Sequence, residues 1–134
     1  MKRLLVLLAV AASSAVLAAA PDVLEESLAA AGDAERGREI FLTREAGHCV
    51  ICHQLAKFSP TGNVGPSLDG IGGRLSAAQL RLRIVDITRV NPDATMPAFF
   101  RSEGLTRVAA AHVGKTLLSA QQVEDLVAFL AGLR

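Results

Sequence analysis

Past an apolar leader, the hydrophobic residues gather into three stretches of helical spacing. The first runs from Asp33, an expected N-cap, to about Arg44. Gly37 and Phe41 lie four apart on one face there, with Ile40 beside them. The second opens at Ser76 with Gln79 as its capping-box partner, and Leu80, Ile84 and Ile87 recur along it. It must stop near Val90, because Asn91-Pro92 disfavours helix. The third opens at Ser119 with Gln122 and carries Val123, Leu126, Val127 and Leu130 on one face, with Phe129 and Leu133 nearby. Between these stretches, Phe58 to Gly73 is rich in Gly and Pro and residues 91–118 are irregular, so both are expected as loop. No strand-like alternation of useful length and no internal repeat appears. The pattern predicts an all-α chain of few helices and long loops.

The leader changes how the chain is divided. Lys2 and Arg3, the apolar run Leu4 to Ala12 and the small residues up to Ala20 have the form of a secretory signal peptide over residues 1–20. Cleavage is expected after Ala18 or Ala19, since Pro21 hinders the peptidase one step later. An uncleaved anchor is the alternative, but the apolar core falls short of the ~20 residues that a span needs. Residues 21–32 form an acidic, Ala-rich lead-in, expected as a mobile arm or short helix, and residues 33–134 form the one folded domain. Export implies the periplasm, with no membrane span after cleavage.

Charge adds little until it is mapped. The chain has 14 Lys and Arg and 13 Asp and Glu; losing Lys2 and Arg3 leaves a formal net of −1. Nothing there favours nucleic acid as a partner. Residues 21–45 hold seven acids and three bases, whereas residues 74–107 bring Arg74, Arg81, Arg83, Arg89, Arg101 and Arg107 against three acids. That run is either a solvated face or a basic rim that docks an acidic partner or attracts an anion.

The chemistry centres on Cys49-Val50-Ile51-Cys52-His53, a CxxCH sequence that uses both cysteines of the chain. Two thiols three positions apart can each add to one vinyl group of a porphyrin, and the next histidine can ligate its iron. A thioredoxin-like pair would need a βαβ setting, which is missing. A zinc site would need two more donors, and only His48 and His112 remain. One covalent haem c then fills the centre of the fold.

On the other face of the iron, methionine is a frequent ligand. Met1 leaves with the leader, so Met96 is the candidate, held between Pro92 and Pro97 in NPDATMP. His112 is its competitor, and an open iron is a third option. His48 is expected to face solvent. In Gly65-Pro66-Ser67-Leu68, a backbone carbonyl, that of Pro66 for instance, could accept the second ring N–H of His53; an ordinary turn is an equal alternative. Gly114-Lys115-Thr116 lacks the upstream glycine of a phosphate loop, since Ala109 stands there.

The helix GDAERGREIF, then CVICH, GPSL, a Met-Pro loop and a C-terminal helix together resemble class I cytochromes c. That resemblance implies that Gly37 and Phe41 pack near Phe129, that His53 and Met96 are the axial ligands, and that the Pro66 carbonyl holds His53. Longer segments (Gly62-Asn63, LRLRIVD, NPDATMP, GLTRV and LSAQQVEDLVAFLAGLR) are similar to the SoxX group, the small mono-haem subunits of SoxAX complexes. This implies a SoxA-like haem protein as partner, a SoxYZ-like carrier protein whose cysteine receives thiosulfate, and a downstream electron acceptor. One departure is that aromatic residues after the Met-Pro are Phe99 and Phe100 rather than tyrosine, and the chain has no Tyr or Trp. With both thiols committed to haem, this chain is expected to have no catalytic residue of its own and to accept electrons within an L-cysteine S-thiosulfotransferase. A free-standing periplasmic carrier shuttling electrons to an oxidase is the alternative.

Overall fold

Asp33 turns an extended strap into the first helix. Its carboxylate accepts the Arg36 N–H at 2.8 Å, and α1 then runs Ala34–Leu42. The computed structural model describes residues 22–58 and 60–134; the expected signal peptide lies outside them. Four more helices follow: α2 Cys49–Cys52, α3 Ile71–Arg74, α4 Ala77–Asp86 and α5 Ala120–Ala131. Single 3-10 turns lie at Ala56–Phe58, Ile87–Arg89 and Ala110–His112. No strand occurs among the described residues. The protein is all-α, with few helices and long connections, as the hydrophobic spacing predicts.

Both capping boxes form. Ser76 Oγ accepts the Gln79 N–H while Gln79 Oε1 accepts the Ser76 N–H, and Ser119 with Gln122 repeats the exchange. These fix where α4 and α5 start. Where α4 stops differs from the expected Val90. The Asp86 carboxylate accepts the Thr88 N–H at 3.1 Å and the Thr88 hydroxyl at 2.6 Å, drawing the backbone out of the helix. One 3-10 turn then carries the chain to Arg89. The single-turn helices α2 and α3 were not anticipated, because one turn shows no periodicity to read.

The framework is the crossing of α1 on α5. A side chain at Gly37 would strike the Asp125 carbonyl and sit 2.8 Å from Phe129 Cβ, so only glycine lets the two backbones meet. Phe41, 1% exposed, packs on Phe129 with ring centroids 5.5 Å apart. Gly72 of α3 is pressed against the end of α5 in the same way, and its N–H donates to the Leu133 carbonyl at 2.8 Å. Leu80 and Ile84 of α4 complete a core with Val123, Leu126, Val127 and Leu130 of α5.

The acidic lead-in is neither a loose arm nor a helix over residues 22–32. It is a strap tied to α4 and α5. The Leu24 N–H donates to the Ala78 carbonyl at 3.0 Å, the Leu28 N–H to Glu124 at 3.0 Å, and the Asp33 N–H to Asp125 at 2.8 Å. Glu124 and Asp125 are buried on α5 and need donors. Arg81 supplies two to Glu124, at 2.7 and 2.9 Å, and one to the Leu24 carbonyl. Arg36 supplies two to Asp125, at 2.8 Å each. The hydrogen bond from Arg36 does most to hold the Asp125 carboxyl down at about 2; that from Arg81 lowers Glu124. The arginine run is therefore neither wholly a solvated face nor one continuous basic rim. Arg81 lies buried inside the strap clasp, Arg101 is drawn to Asp86 at 2.7 Å, and Arg74 donates to the Asp69 and Ser67 carbonyls.

Candidate haem-binding site

His48 introduces the site with a left-handed backbone, φ 56°, which sharpens the entry into α2 and leaves its side chain exposed. Cys49 and Cys52 open and close that single turn, so both thiols leave the same side of a helix. Both are free and half-buried, and burial pushes the Cys49 thiol up to about 12.

His53 caps α2, its N–H donating to the Cys49 carbonyl at 2.9 Å. Its ring Nδ1 lies 2.8 Å from the Pro66 carbonyl oxygen. A carbonyl can only accept, so Nδ1 carries the hydrogen, which in the neutral ring leaves the Nε2 lone pair for a metal. The Gly65-Pro66 segment comes this close because residue 65 has no side chain; a Cβ there would lie 2.6 Å from His53 Cε1. The loop is pinned along α2 and the residues after it by three main-chain bonds. Gly62 N–H donates to the Val50 carbonyl, Gly65 N–H to Cys52 and Leu68 N–H to Gln54, at 2.8, 2.8 and 2.9 Å. A side chain at Gly62 would collide with the Ile51 carbonyl. Gly62 and Gly65 are therefore the residues that sequence reasoning undervalued. Their signal was present in GNVGP, two glycines three apart ahead of a proline, a spacing suited to close backbone approach.

Met96 stands on a separate loop. Asn91 Oδ1 accepts the Asp93 N–H at 3.1 Å and shapes the turn before it. Met96 is half-buried and packs against the same core cluster that Cys49, Val50 and Leu68 touch. Behind it, the N–H groups of Phe99 and Phe100 donate to the Ile84 and Val85 carbonyls, each at 3.2 Å, and Phe99 accepts from Leu118 at 3.0 Å. Arg101 clamps this return to Asp86. Burial alone would push the Asp86 carboxyl up, but its bonds from Thr88 and the Arg101 charge hold it below the ordinary value. His112, the competing ligand, is exposed on the turn Ala110–His112.

Taken together, Cys49, Cys52, His53 and Pro66 form one contiguous cluster, and Met96 reaches the shared core from elsewhere in the chain. Among the described residues, no three His, Cys, Asp or Glu side chains gather as a set for a bare metal ion. Two thiols on one turn, an imidazole with a free Nε2 and a glycine-lined approach fit a covalent haem c instead. No helix of the described residues is long and apolar enough to cross a membrane.

Known proteins place these features. A comparison with curated proteins gives no match. Among solved structures, the chain is similar to one in the crystal structure of SoxXA from P. pantotrophus, with 36% sequence identity and a TM-score of 0.76. The similarity covers 84% of this chain and 90% of that one. Among protein families, residues 34–134 match Cytochrome c. Because that match takes in every helix together with CVICH and the Met96 loop, this chain belongs to the cytochrome c family and is an electron carrier that resembles a SoxXA subunit.

Proposed function

We propose that this chain is the electron-accepting haem c subunit of a SoxAX-type assembly, which joins thiosulfate to a cysteine of a SoxYZ-like carrier protein and releases two electrons. The observation that carries the haem assignment is the 2.8 Å contact of His53 Nδ1 with the Pro66 carbonyl, which fixes the ring and reserves Nε2. Cys49 and Cys52 would hold the haem through thioether bonds, with His53 and Met96 as the axial ligands. Met96 is favoured over His112 because it is already packed on the core, whereas His112 is exposed. Bound haem supplies one-electron exchange at its iron. The protein's part is to hold the imidazole, keep the thioether in place and bury the porphyrin against the core cluster.

The SoxAX-type role is supported by the 36% identity to a chain of SoxXA and by the cysteine count. Both thiols are committed to haem, so no thiol remains to carry a sulfur group, and that step falls to a SoxA-like partner. In this proposal residues 1–20 direct export to the periplasm, residues 21–32 are the lead-in and residues 33–134 are the haem domain. A pull-down from the native periplasm tests it. Co-purification with a SoxA-like haem protein, and haem reduction on adding thiosulfate with carrier protein, is the expected result. A free monomer indifferent to both would instead make it a general carrier serving an oxidase.

A further inference from the structure

A pocket of about 340 Å³ lies on the return from the Met96 loop, with Pro97, Ala98, Leu105 and Leu117 in its apolar lining. Its polar lining is Arg101, Thr106, Arg107, His112 and Lys115, and no acidic side chain lines it. Arg101 spends Nη1 on Asp86 and Thr88, at 2.7 and 3.2 Å, yet its Nε–H is buried and has no hydrogen-bond partner. A buried donor without an acceptor is uncommon and calls for one. Lys115 donates one N–H to the Ala111 carbonyl at 3.0 Å, which leaves two. Arg107 is exposed and forms no ion pair among the described residues. Three cations line one small concavity, and among the described residues the one ion pair any of them forms is Arg101 with Asp86, so the lining carries net positive charge.

We propose that this pocket is a binding site for a small divalent oxyanion. Arg107 and Lys115 would supply the charge-assisted hydrogen bonds, and the Arg101 guanidinium would add positive charge to the lining. The volume suits an anion of a few heavy atoms with its remaining water, and the fork of an arginine suits paired oxygens. Naming thiosulfate as one such anion rests on the SoxAX-type proposal; the site itself does not. Its place directly after Met96-Pro97 would put the anion on the loop that carries the candidate iron ligand.

The experiment titrates the haem-loaded protein calorimetrically with sulfate and, separately, with thiosulfate, at an ionic strength held constant with chloride. Saturable binding of either anion is expected. Arg107→Gln and Lys115→Gln should each weaken it about tenfold, the loss of one charge-assisted bond. Lys57→Gln, on the Ala56–Phe58 turn, should leave it unchanged. Both pocket residues are exposed, so their variants should keep the wild-type circular dichroism. No saturable heat from either anion overturns the proposal. So does binding that both pocket variants leave intact, and so does an acidic peptide that binds where the free anions fail. Sulfate binding by a chain that captures no SoxA-like partner would sustain this site while sinking the assembly, so the two failures are separable.

Discussion

The two sides of the candidate haem site are built on different principles. On the His53 side, the candidate ligand, both thiols and the Pro66 carbonyl fall within 18 consecutive residues, from Cys49 to Pro66, held by three main-chain bonds and the His53 ring contact. On the Met96 side, the candidate ligand sits in a loop whose position depends on contacts to α4: two N–H bonds from Phe99 and Phe100, and the Arg101–Asp86 clamp. The first side is local and over-determined. The second is assembled from afar and leans on one partly exposed ion pair. A cytochrome built this way should keep its proximal ligand under perturbations that dislodge the distal one.

The largest expected effect removes the comparison altogether. Replacing Cys49 and Cys52 with alanine should abolish covalent haem attachment, seen as loss of haem stain on a denaturing gel. Next, Phe41→Ala should strike both sides equally, since the α1–α5 crossing supports each. A buried phenylalanine lost from a core costs about 3–5 kcal/mol, to be read from denaturant unfolding. Arg101→Leu should separate the sides. It leaves Asp86 buried and unpaired, and because Arg101 is about one-third exposed we expect about 2 kcal/mol, less than a fully buried pair would lose. The methionine–iron charge-transfer band should weaken while the haem stays attached. An unchanged band would show that the clamp does not hold the Met96 loop.

The strap offers a control that belongs to neither side. Asp125 has its carboxyl lowered from 3.8 to about 2, first by the Arg36 hydrogen bond. A depressed folded value contributes stability that is present above the unfolded value and lost as pH falls through the folded one. Asp125→Asn should therefore cost about 2 kcal/mol at neutral pH, and the variant's stability should vary less than wild type between about pH 4 and pH 2. The smallest effect is expected from Gly65→Ala, which presses a methyl on His53 Cε1. Overpacking of about 1 kcal/mol should shift the reduction potential more than the melting temperature. A potential identical to wild type would show that the loop yields rather than the ring.

Much of this was legible beforehand where the cause is local. Capping boxes at Ser76 and Ser119, the Asp33 cap and the Gly37–Phe41 face depend on side chains three or four residues apart, and each formed as expected. The end of α4 was misplaced, because Asp86 reaches forward to Thr88, a competition that periodicity does not register. The arginine run misled for another reason. Arg81 and Arg101 look like surface charge in a one-dimensional count, yet Glu124 and Asp86 draw them inward from 43 and 15 residues away. The acidic lead-in misled similarly, since its order comes from α5 carboxylates about 90 residues downstream.

By itself the sequence named the candidate chemistry: CxxCH holds both thiols of the chain beside a histidine, and Met96 is the one methionine after residue 1. It also determined the helix starts, because caps act within a single turn. Only the tertiary structure decided that the Pro66 carbonyl meets His53 Nδ1, that the strap is tied down, and that Arg101, Arg107 and Lys115 surround one pocket. Those outcomes depend on backbones approaching at glycines and on buried charges finding partners. Both are settled by the energy of the whole packed molecule, which no local window of residues contains.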